Sequence, residues 1–365
     1  MDSFALISRR VAPRVAGGQT RRVQRVRGLV VVLAMVATSG VAGCADDGGP
    51  APTTTTTSVP PMSTTTAPTT TTVPPAPTTT TTPEPPSSQE LEAAVTETVE
   101  RLVADAASGG ARVSISVQAI ERGSTPVAVA PRLPFLAGSA SKVYWAAAAA
   151  AARGPGAVEP EATLIFEWSD NDAAGRIVDL ADPNAINLFL AGPAGADDTA
   201  FYFWGFGGDG RGSALYPGPF GGNNPTTTAD AVRFMVRLDR GDLLTPRATG
   251  FMRDWLTRSP RNTSHPSTYG GLFGDRLPPE VQADVLHKGG WLPGKRDQRG
   301  CCAAFDDLFL DMGIIETPAG ARWAVSVAIS GGGDLAHNAD VIRHSVCEVY
   351  RTVAEDEAWD CGTVA

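Results

Sequence analysis

The sequence predicts an α+β fold, in which helices at both ends of one folded domain flank an antiparallel sheet and the middle of the domain is helical. Two observations predict the ends: apolar residues recur at helical spacing in the first and last segments, and strictly alternating or continuously apolar runs adjoin them. A short turn joins the first two strands, as in antiparallel sheets. The predicted elements are a helix over 88–107 capped by Ser88, strands over 113–120, 126–130, 285–291, 308–317 and 323–330, and a last helix over 338–354.

The middle of the domain is predicted to be mainly helical. A very apolar helix over 139–152 contains seven consecutive alanines, Ala146 to Ala152, which indicates close packing on all sides. Residues 161–240 continue as helices, interrupted by a glycine-rich loop over 205–224. No internal repeat is evident, so the sequence indicates one domain with a central alanine helix.

The first residues predict export. Arginines crowd the N-terminus, and an apolar run over 29–36 follows that is too short to span a bilayer. The run leads to Val41-Ala42-Gly43-Cys44, which resembles the lipobox of bacterial lipoprotein signals. The resemblance implies a signal peptide over 1–43 and a lipid anchor on Cys44 at the outer face of the cell membrane. A plain cleaved signal is the alternative, and the general secretory and twin-arginine routes both stay open.

A linker and a folded domain follow the signal. Residues 44–87 are rich in Thr and Pro, a composition that buries no core, and we expect a disordered spacer there. Residues 88–365 are then the folded domain. The net charge is −9 and the sequence pI is about 5.0, which argues against a nucleic-acid partner.

Four cysteines lie in the folded part: Cys301, Cys302, Cys347 and Cys361. Export permits disulfides, and adjacent cysteines rarely pair with each other, so we expect two bridges from the Cys301/Cys302 pair to Cys347 and Cys361, with the connectivity open. A zinc site is the disfavoured alternative, because no Cys-x-x-Cys or His-x-x-x-His spacing accompanies them. The sequence predicts no metal and no cofactor.

Lysine use points to candidate catalytic residues. The chain has 30 basic residues, of which only Lys142, Lys288 and Lys295 are lysine. A lysine amine, unlike a guanidinium, loses its proton when it is buried near another cation. Lys295 lies in a polar loop and needs no such explanation, which leaves Lys142 and Lys288 as candidates for chemistry.

Ser139 precedes Lys142 by three residues at the start of the alanine helix. Positions i and i+3 share one face of a helix. A serine hydroxyl becomes a nucleophile when a base removes its proton, and a neutral lysine amine can serve as that base. The N-terminus of a helix also favours negative charge on the serine oxygen. The pair therefore predicts nucleophilic catalysis at Ser139.

Two more motifs follow in order, Ser169-Asp170-Asn171 and Lys288-Gly289-Gly290. With the Ser-x-x-Lys motif they resemble the active-site motifs of class A β-lactamases and penicillin-binding transpeptidases. The resemblance covers about residues 88–354. It implies that family's fold, with its helical subdomain trimmed, and a small-molecule or cell-wall peptide substrate.

The resemblance also implies a role for each motif residue. Ser139 would be acylated, Lys142 would be its base, and Ser169 would pass a proton to the leaving nitrogen. Lys288 would keep Lys142 deprotonatable. Asn171 would hold the substrate amide and Lys142. Asp170 would be structural, and Gly290 and Trp291 would line the substrate site, where the N–H groups of Ser139 and Trp291 form an oxyanion hole.

The sequence departs from this family in three ways. The middle motif comes only 27 residues after Lys142, which implies the trimmed helical subdomain. No glutamate occurs between Glu167 and Glu280, and the glycine-rich loop offers only Asp209 as a carboxylate, so we expect poor water attack on a β-lactam acyl-enzyme. Gly289 stands where the family has Ser or Thr, which weakens recognition of a substrate carboxylate by about 1.5–3 kcal/mol.

Two functions follow as hypotheses. The first is a serine hydrolase of the β-lactamase or D,D-peptidase type that acts on a peptidoglycan-type peptide, a β-lactam or a related amide or ester. The second is a catalytically degenerate relative that binds or scaffolds at the envelope. Other patterns give weaker evidence of function. The Gly205–Gly210 loop matches the dinucleotide-binding glycine pattern but lacks the βαβ unit of such a site. The histidines (His265, His287, His337, His344) have no Gly-x-Ser-x-Gly partner.

Overall fold

The structure is a computed structural model that describes residues 87–201, 203–204, 211–212, 224–259, 273–294 and 306–364. Cys44, Cys301, Cys302, Asp209 and Lys295 lie outside the described residues, as do the signal and almost all of the predicted linker. The predictions made for them therefore stay predictions. No helix among the described residues has the length and apolar character needed to cross a membrane.

The described residues form strands and helices that are interspersed along the chain. The strands are β1 (Arg112–Ala119), β2 (Val127–Val129), β3 (Phe135–Leu136), β4 (Phe203–Trp204), β5 (Arg211–Gly212), β6 (Pro225–Thr226), β7 (Leu286–Leu292), β8 (Leu308–Glu316) and β9 (Arg322–Ser330). The helices are α1 (Ser88–Ser108), α2 (Ser141–Arg153), α3 (Pro155–Trp168), α4 (Asn171–Ala181), α5 (Pro183–Phe189), α6 (Thr228–Asp239), α7 (Pro246–Thr257), α8 (Pro279–Gln282) and α9 (Leu335–Ala354).

The main sheet has five antiparallel strands in the order β2-β1-β9-β8-β7. The hairpin of β1 and β2 and the three late strands agree with the sequence prediction. Strand β7 is one of the two edge strands, so one side of its backbone is not paired within the sheet. This free edge borders the short 3₁₀ turn Gly138–Ala140 that precedes α2.

Helices α1 and α9 pack together on one face of the sheet. Val95, Val99 and Leu102 of α1 are fully or almost fully buried, at the spacing of one helix face. The N-cap of α1 is Ser87 rather than the predicted Ser88, because Ser87 and Glu90 form a reciprocal capping box. The two terminal helices are also tied by an Arg101–Glu348 ion pair of 2.7 Å.

Helix α2 lies at the centre of the helical layer on the other face. Ala146 to Ala150 are buried, as predicted, and contact α3, α4, α5 and α7. Ala151 and Ala152 are exposed, so the prediction of packing on all sides is wrong for the last turn. The reason is that α2 ends at Arg153 and Gly154, where the chain leaves the core and begins α3.

Helix α6 joins the helical layer to the sheet through hydroxyl groups. Thr227 caps it, and the Thr228 hydroxyl lies 2.6 Å from Ser114 Oγ and 2.9 Å from Ser116 Oγ on β1. All three hydroxyls are buried. Helix α7 was not predicted from the sequence, although Thr245 as N-cap and Pro246 at the first position are its start signal.

The disulfide pairing corrects the sequence prediction. Cys347 bonds to Cys361, so neither bonds to Cys301 or Cys302. Cys347 lies on the buried face of α9, and Glu355, in a left-handed conformation, ends that helix so that the chain turns back. The Cα atoms of the pair are then 5.6 Å apart, within the range a disulfide spans.

Candidate active site

Ser139 lies in the 3₁₀ turn before α2, against the edge of β7. The turn is close to Gly290: a β-carbon there would lie 2.6 Å from Ser139 N and 2.2 Å from Ala137 O. These separations are shorter than van der Waals contact, so only glycine fits at position 290. The same packing brings Trp291 N within 3.0 Å of a β-carbon built on Gly138. The nitrogens of Ser139 and Trp291, the predicted oxyanion pair, are therefore on neighbouring backbone segments.

Lys142 is in the first turn of α2 and is almost fully buried. Its Nζ lies 2.5 Å from Ser169 O, 2.8 Å from Asn171 Oδ1 and 3.2 Å from Ser169 Oγ. A carbonyl and an amide oxygen can only accept, so they take two N–H groups of the amine. A neutral amine then has its lone pair left for a hydroxyl, which is the state a base requires.

Ser169 bridges the two lysines. Its hydroxyl is 3.2 Å from Lys142 Nζ and also 3.2 Å from Lys288 Nζ. The residue ends α3 in a left-handed conformation, with φ of +53°, which is uncommon for residues other than glycine. Asp170, the next residue, caps α4 by accepting from Ala173 N–H at 2.6 Å. The turn thus directs both the Ser169 carbonyl and its hydroxyl toward Lys142.

Burial and mutual repulsion set the charges of the lysines. Desolvation, and then the nearby Lys288, hold the pKa of Lys142 well below its usual value, and Asp170 opposes them. Lys288 is also buried, and desolvation lowers its pKa to about 8, against the attraction of Asp311. A pKa of about 8 leaves Lys288 mostly protonated at pH 7, and the repulsion from this charge favours the neutral form of Lys142.

This arrangement can perform nucleophilic acyl transfer. Lys142 as a neutral amine can take the proton of the Ser139 hydroxyl as Ser139 attacks a carbonyl carbon. Ser169 Oγ, between the two amines, can hand a proton on to a leaving nitrogen. Backbone N–H groups at the start of α2 and on β7 can face the developing oxyanion.

Asp311 and His287 were not recognised from the sequence as neighbours of the site. Asp311 pairs with Gly289 across β7 and β8, and a β-carbon at position 289 would lie 2.9 Å from Asp311 Oδ2. His287 Nδ1 is 3.3 Å from Asp311 Oδ1. An aspartate inside the apolar run 308–315 was the available signal, because an ionisable residue rarely lies within a buried strand without a reason.

The remaining histidines and cysteines do not join the site. His337 and His344 belong to α9, on the far face of the sheet, and His265 lies outside the described residues. Cys347 and Cys361 are in their disulfide. Within the described ranges no group of three or more His, Cys, Asp or Glu could hold a metal ion.

Comparisons with known proteins bear on the family and the fold of the chain. Residues 157–353, more than half of the chain, match the sequence model of the beta-lactamase enzyme family. The matched range begins after Ser139 and Lys142. A search of curated proteins finds no match.

Solved structures show the same fold. A beta-lactamase from Sphaerobacter thermophilus is 20% identical, covering 71% of this chain and 96% of its own, with a TM-score of 0.54. PBP-A is 16% identical, with 73% and 97% covered and a TM-score of 0.54. A class A beta-lactamase representative from Bacteroides cellulosilyticus is 16% identical, with 73% and 99% covered and a TM-score of 0.53. At these identities the likeness concerns the fold.

Proposed function

The chain belongs to the beta-lactamase enzyme family, and from this premise we propose that it is a serine hydrolase that forms an acyl-enzyme on Ser139. One observation carries the proposal: two buried lysines, Lys142 and Lys288, share the hydroxyl of Ser169 beside the Ser139 turn. Burying two amines without a carboxylate in hydrogen-bond contact costs stability, and a site of catalysis is the usual reason for such a cost.

The proposed substrates are a peptidoglycan-type peptide, a β-lactam, or a related amide or ester. The support is the motif order together with structural neighbours of both kinds, beta-lactamases and PBP-A; one PBP-A variant was solved as an acyl-enzyme complex with penicillin G. We expect acylation to outrun deacylation. No glutamate lies between Glu167 and Glu280 to activate a water molecule.

We further propose that the enzyme works at the outer face of the cell membrane, anchored by lipid on Cys44. The support is the sequence alone: the arginine-rich start, the short apolar run and the Val41-Ala42-Gly43-Cys44 motif. Cell fractionation tests this part separately. The parent protein should sediment with membranes, and Cys44→Ser should not carry lipid; an intact N-terminus or an unmodified Cys44 by mass spectrometry would contradict the anchor.

Labelling of Ser139 tests the enzymatic proposal. A fluorescent penicillin and a fluorophosphonate probe should each label the purified protein once, and Ser139→Ala should abolish both labels. Ser141→Ala is the matched control, because Ser141 lies two residues away and its hydroxyl instead donates to Gly138 O at 2.6 Å. If neither probe labels the protein, or if label persists in Ser139→Ala, the proposal fails. Intact-protein mass measured over hours then gives the deacylation rate.

A second candidate is a degenerate relative that binds envelope components without turnover. The observation that favours it is Gly289, where a side chain hydroxyl would otherwise help to hold a substrate carboxylate. This candidate predicts that wall-peptide fragments bind, as measured by calorimetry, while no probe labels Ser139. Labelling that Ser139→Ala abolishes would exclude it.

A further inference from the structure

The far side of strand β7 carries a second charged arrangement, adjacent to the proposed active site. Alternate residues of a strand point to opposite faces. Leu286 belongs to the core on the helical side, and Lys288 and Gly290 point the same way, toward α2. His287 and Trp291 point toward the layer that contains Phe273 and Phe309. Gly289 lies on that second face.

Asp311 occupies the space next to Gly289. The two residues are directly paired across β7 and β8, and a β-carbon at position 289 would lie 2.9 Å from Asp311 Oδ2 and 3.3 Å from its Cγ. Any side chain at 289 would therefore press on the carboxylate. Glycine at position 289 thus leaves room for an acidic group on this face.

The Asp311 carboxylate is buried with few partners. The residue has no exposed surface. Its Oδ1 accepts from Met312 N–H at 2.9 Å and lies 3.3 Å from His287 Nδ1, whereas Oδ2 has no hydrogen-bond partner within the part of the chain described. A buried carboxylate with an unsatisfied oxygen is costly unless a cation compensates it. His287 is the titratable group in contact with this carboxylate, and Lys288, next to Gly289 on β7, is the nearest lysine of the proposed site in strand register.

We propose that Asp311 is a positioning residue of the site, which acts across strand β7 to hold Lys288 in its charged form. This inference rests on the proposed function, because the charge of Lys288 matters only if Lys142 is a base. Asp311 touches no reacting atom. Its effect is passed on in two steps, from Asp311 to Lys288 and from Lys288 to Lys142.

The electrostatics agree in direction with this geometry. Desolvation lowers the pKa of Lys288 to about 8, and Asp311 is the group that opposes this lowering. A charged Lys288 in turn lowers the pKa of Lys142. Removing the Asp311 charge should therefore discharge Lys288 at lower pH. The pH range in which a charged Lys288 lies beside a neutral Lys142 then ends at a lower pH.

Other charged groups face the same region and enter the pH response. Asp170 attracts Lys142, and Asp275 responds to both His287 and Asp311 while it is paired with Arg343 of α9 at 2.9 Å. None of them lies between Asp311 and Lys288 in the strand register. The groups that face Lys288 and Asp311 are Lys142 from α2, Ser169 and Asp170 from the α3–α4 turn, His287 from β7, Asp275 from the segment before α8, and Arg343 from α9.

Lysine NMR tests the proposal directly, because the chain has only three lysines. In the protein labelled with ¹³C-lysine, each signal can be assigned with Lys→Arg variants and followed against pH. We expect Asp311→Asn to move the Lys288 midpoint to lower pH by about one unit. Asp239→Asn is the matched control. The side chain of Asp239, on α6, is as buried as that of Asp311, but it forms an ion pair with Arg322 of β9. An unmoved Lys288 midpoint in folded Asp311→Asn would overturn the proposal.

A kinetic measurement adds a second readout. The rate of Ser139 labelling by fluorescent penicillin, plotted against pH, should decline at lower pH in Asp311→Asn than in Asp239→Asn, and should be about fivefold lower at pH 8. If Asp311→Asn does not fold, Asp311→Ala serves instead, and the Asp311 carboxyl signal of the parent must report an ionised group at pH 7; a protonated group overturns the inference.

The NMR outcome separates the two proposals. If no probe labels Ser139 at any pH but the Lys288 midpoint moves as expected, the proposed function fails while Asp311 still controls the Lys288 charge. If labelling occurs and the midpoint stays fixed, the proposed function stands and the role of Asp311 is only structural.

Discussion

Two buried polar clusters meet helix α2 and differ in how their charges are satisfied. The lysine cluster comprises Lys142, Ser169, Asn171 and Lys288. The aspartate cluster comprises Tyr144, Thr199, Thr226 and Asp230. Lys142 and Tyr144 are two residues apart on α2, so the two clusters occupy different faces of the same helix.

The aspartate cluster surrounds one charge with matching partners. Asp230 accepts from the Thr199 hydroxyl at 2.9 Å and from Asp198 N–H at 2.8 Å, and it is paired with Arg233 at 2.8 Å. Thr226 joins Thr199 to Tyr144 through hydroxyl contacts of 2.9 Å and 3.1 Å. A buried charge with donors and a counter-ion is typical of a structural network.

The lysine cluster has two buried amines and no carboxylate in hydrogen-bond contact. Its acceptors are a carbonyl, an amide oxygen and a shared hydroxyl. The cost is relieved when one amine gives up its proton, so the cluster is suited to proton transfer. The comparison therefore teaches that the two kinds of buried charge can be told apart by their partners. Removing a charge should therefore lower activity in the lysine cluster and stability in the aspartate cluster.

Lys142→Met should cause the largest loss of Ser139 labelling and no loss of stability. Without the base, labelling of Ser139 by penicillin should slow by about 10³-fold or more. The unfolding free energy should be unchanged or higher, because an apolar side chain replaces a desolvated amine. Labelling kinetics and urea denaturation measure the two quantities.

Lys295→Met is the matched control, since the sequence gives this third lysine no part in a motif. It should leave both labelling and stability as in the parent. A large loss of stability in Lys142→Met would show that the amine is structural, and the distinction between the clusters would fail.

Lys288 should make the stability rise with pH. Its pKa is lowered to about 8 in the folded protein, so between pH 8 and about 10.5 the unfolded chain binds more protons than the folded one. Stability therefore increases across this window, by at most about 3 kcal/mol from Lys288. The cost of burying the charged Lys288 amine is fully present below pH 8, and it is gone above the pKa of lysine in the unfolded chain.

Denaturation of the parent and of Lys288→Met at several pH values measures this effect. Subtracting the unfolding free energy of the variant from that of the parent removes most of the contribution of the other titrating groups. The parent should gain stability relative to the variant as the pH rises from 8 to 10. A constant difference would mean that Lys288 is not desolvated as the structure indicates.

Much of the fold was predictable because its signals are local. The β1–β2 hairpin, the strands near 286–330 and the alanine helix all follow from periodicity over a few residues. The site motifs were found for the same reason, since Ser139 and Lys142 are three residues apart and lysine is rare. The fold then brings Ser169 and Lys288 together, which no local pattern contains.

Two further misses concern contacts that no local pattern contains. Cys347 pairs with Cys361 because α9 ends and the chain returns, a geometry that cysteine counting does not give. The aspartate beside Gly289 was missed because strand register decides which residue faces it. Gly289 was interpreted from its motif alone, whereas a side chain at this position would face Asp311.

Asp230→Asn should give a smaller effect, of the opposite kind to Lys142→Met. The amide keeps the shape of the carboxylate, and its oxygen can still accept from both the Thr199 hydroxyl and Asp198 N–H. Its NH₂ group then faces the Arg233 guanidinium, which also only donates, so this charge-assisted hydrogen bond is lost. We expect the unfolding free energy to fall by about 2 kcal/mol. The pH dependence of Ser139 labelling should not change, because Lys288 and Asp170 are the charges that act on Lys142. Urea denaturation and the labelling profile measure both. A shifted profile with unchanged stability would mean that the aspartate cluster belongs to the catalytic machinery after all.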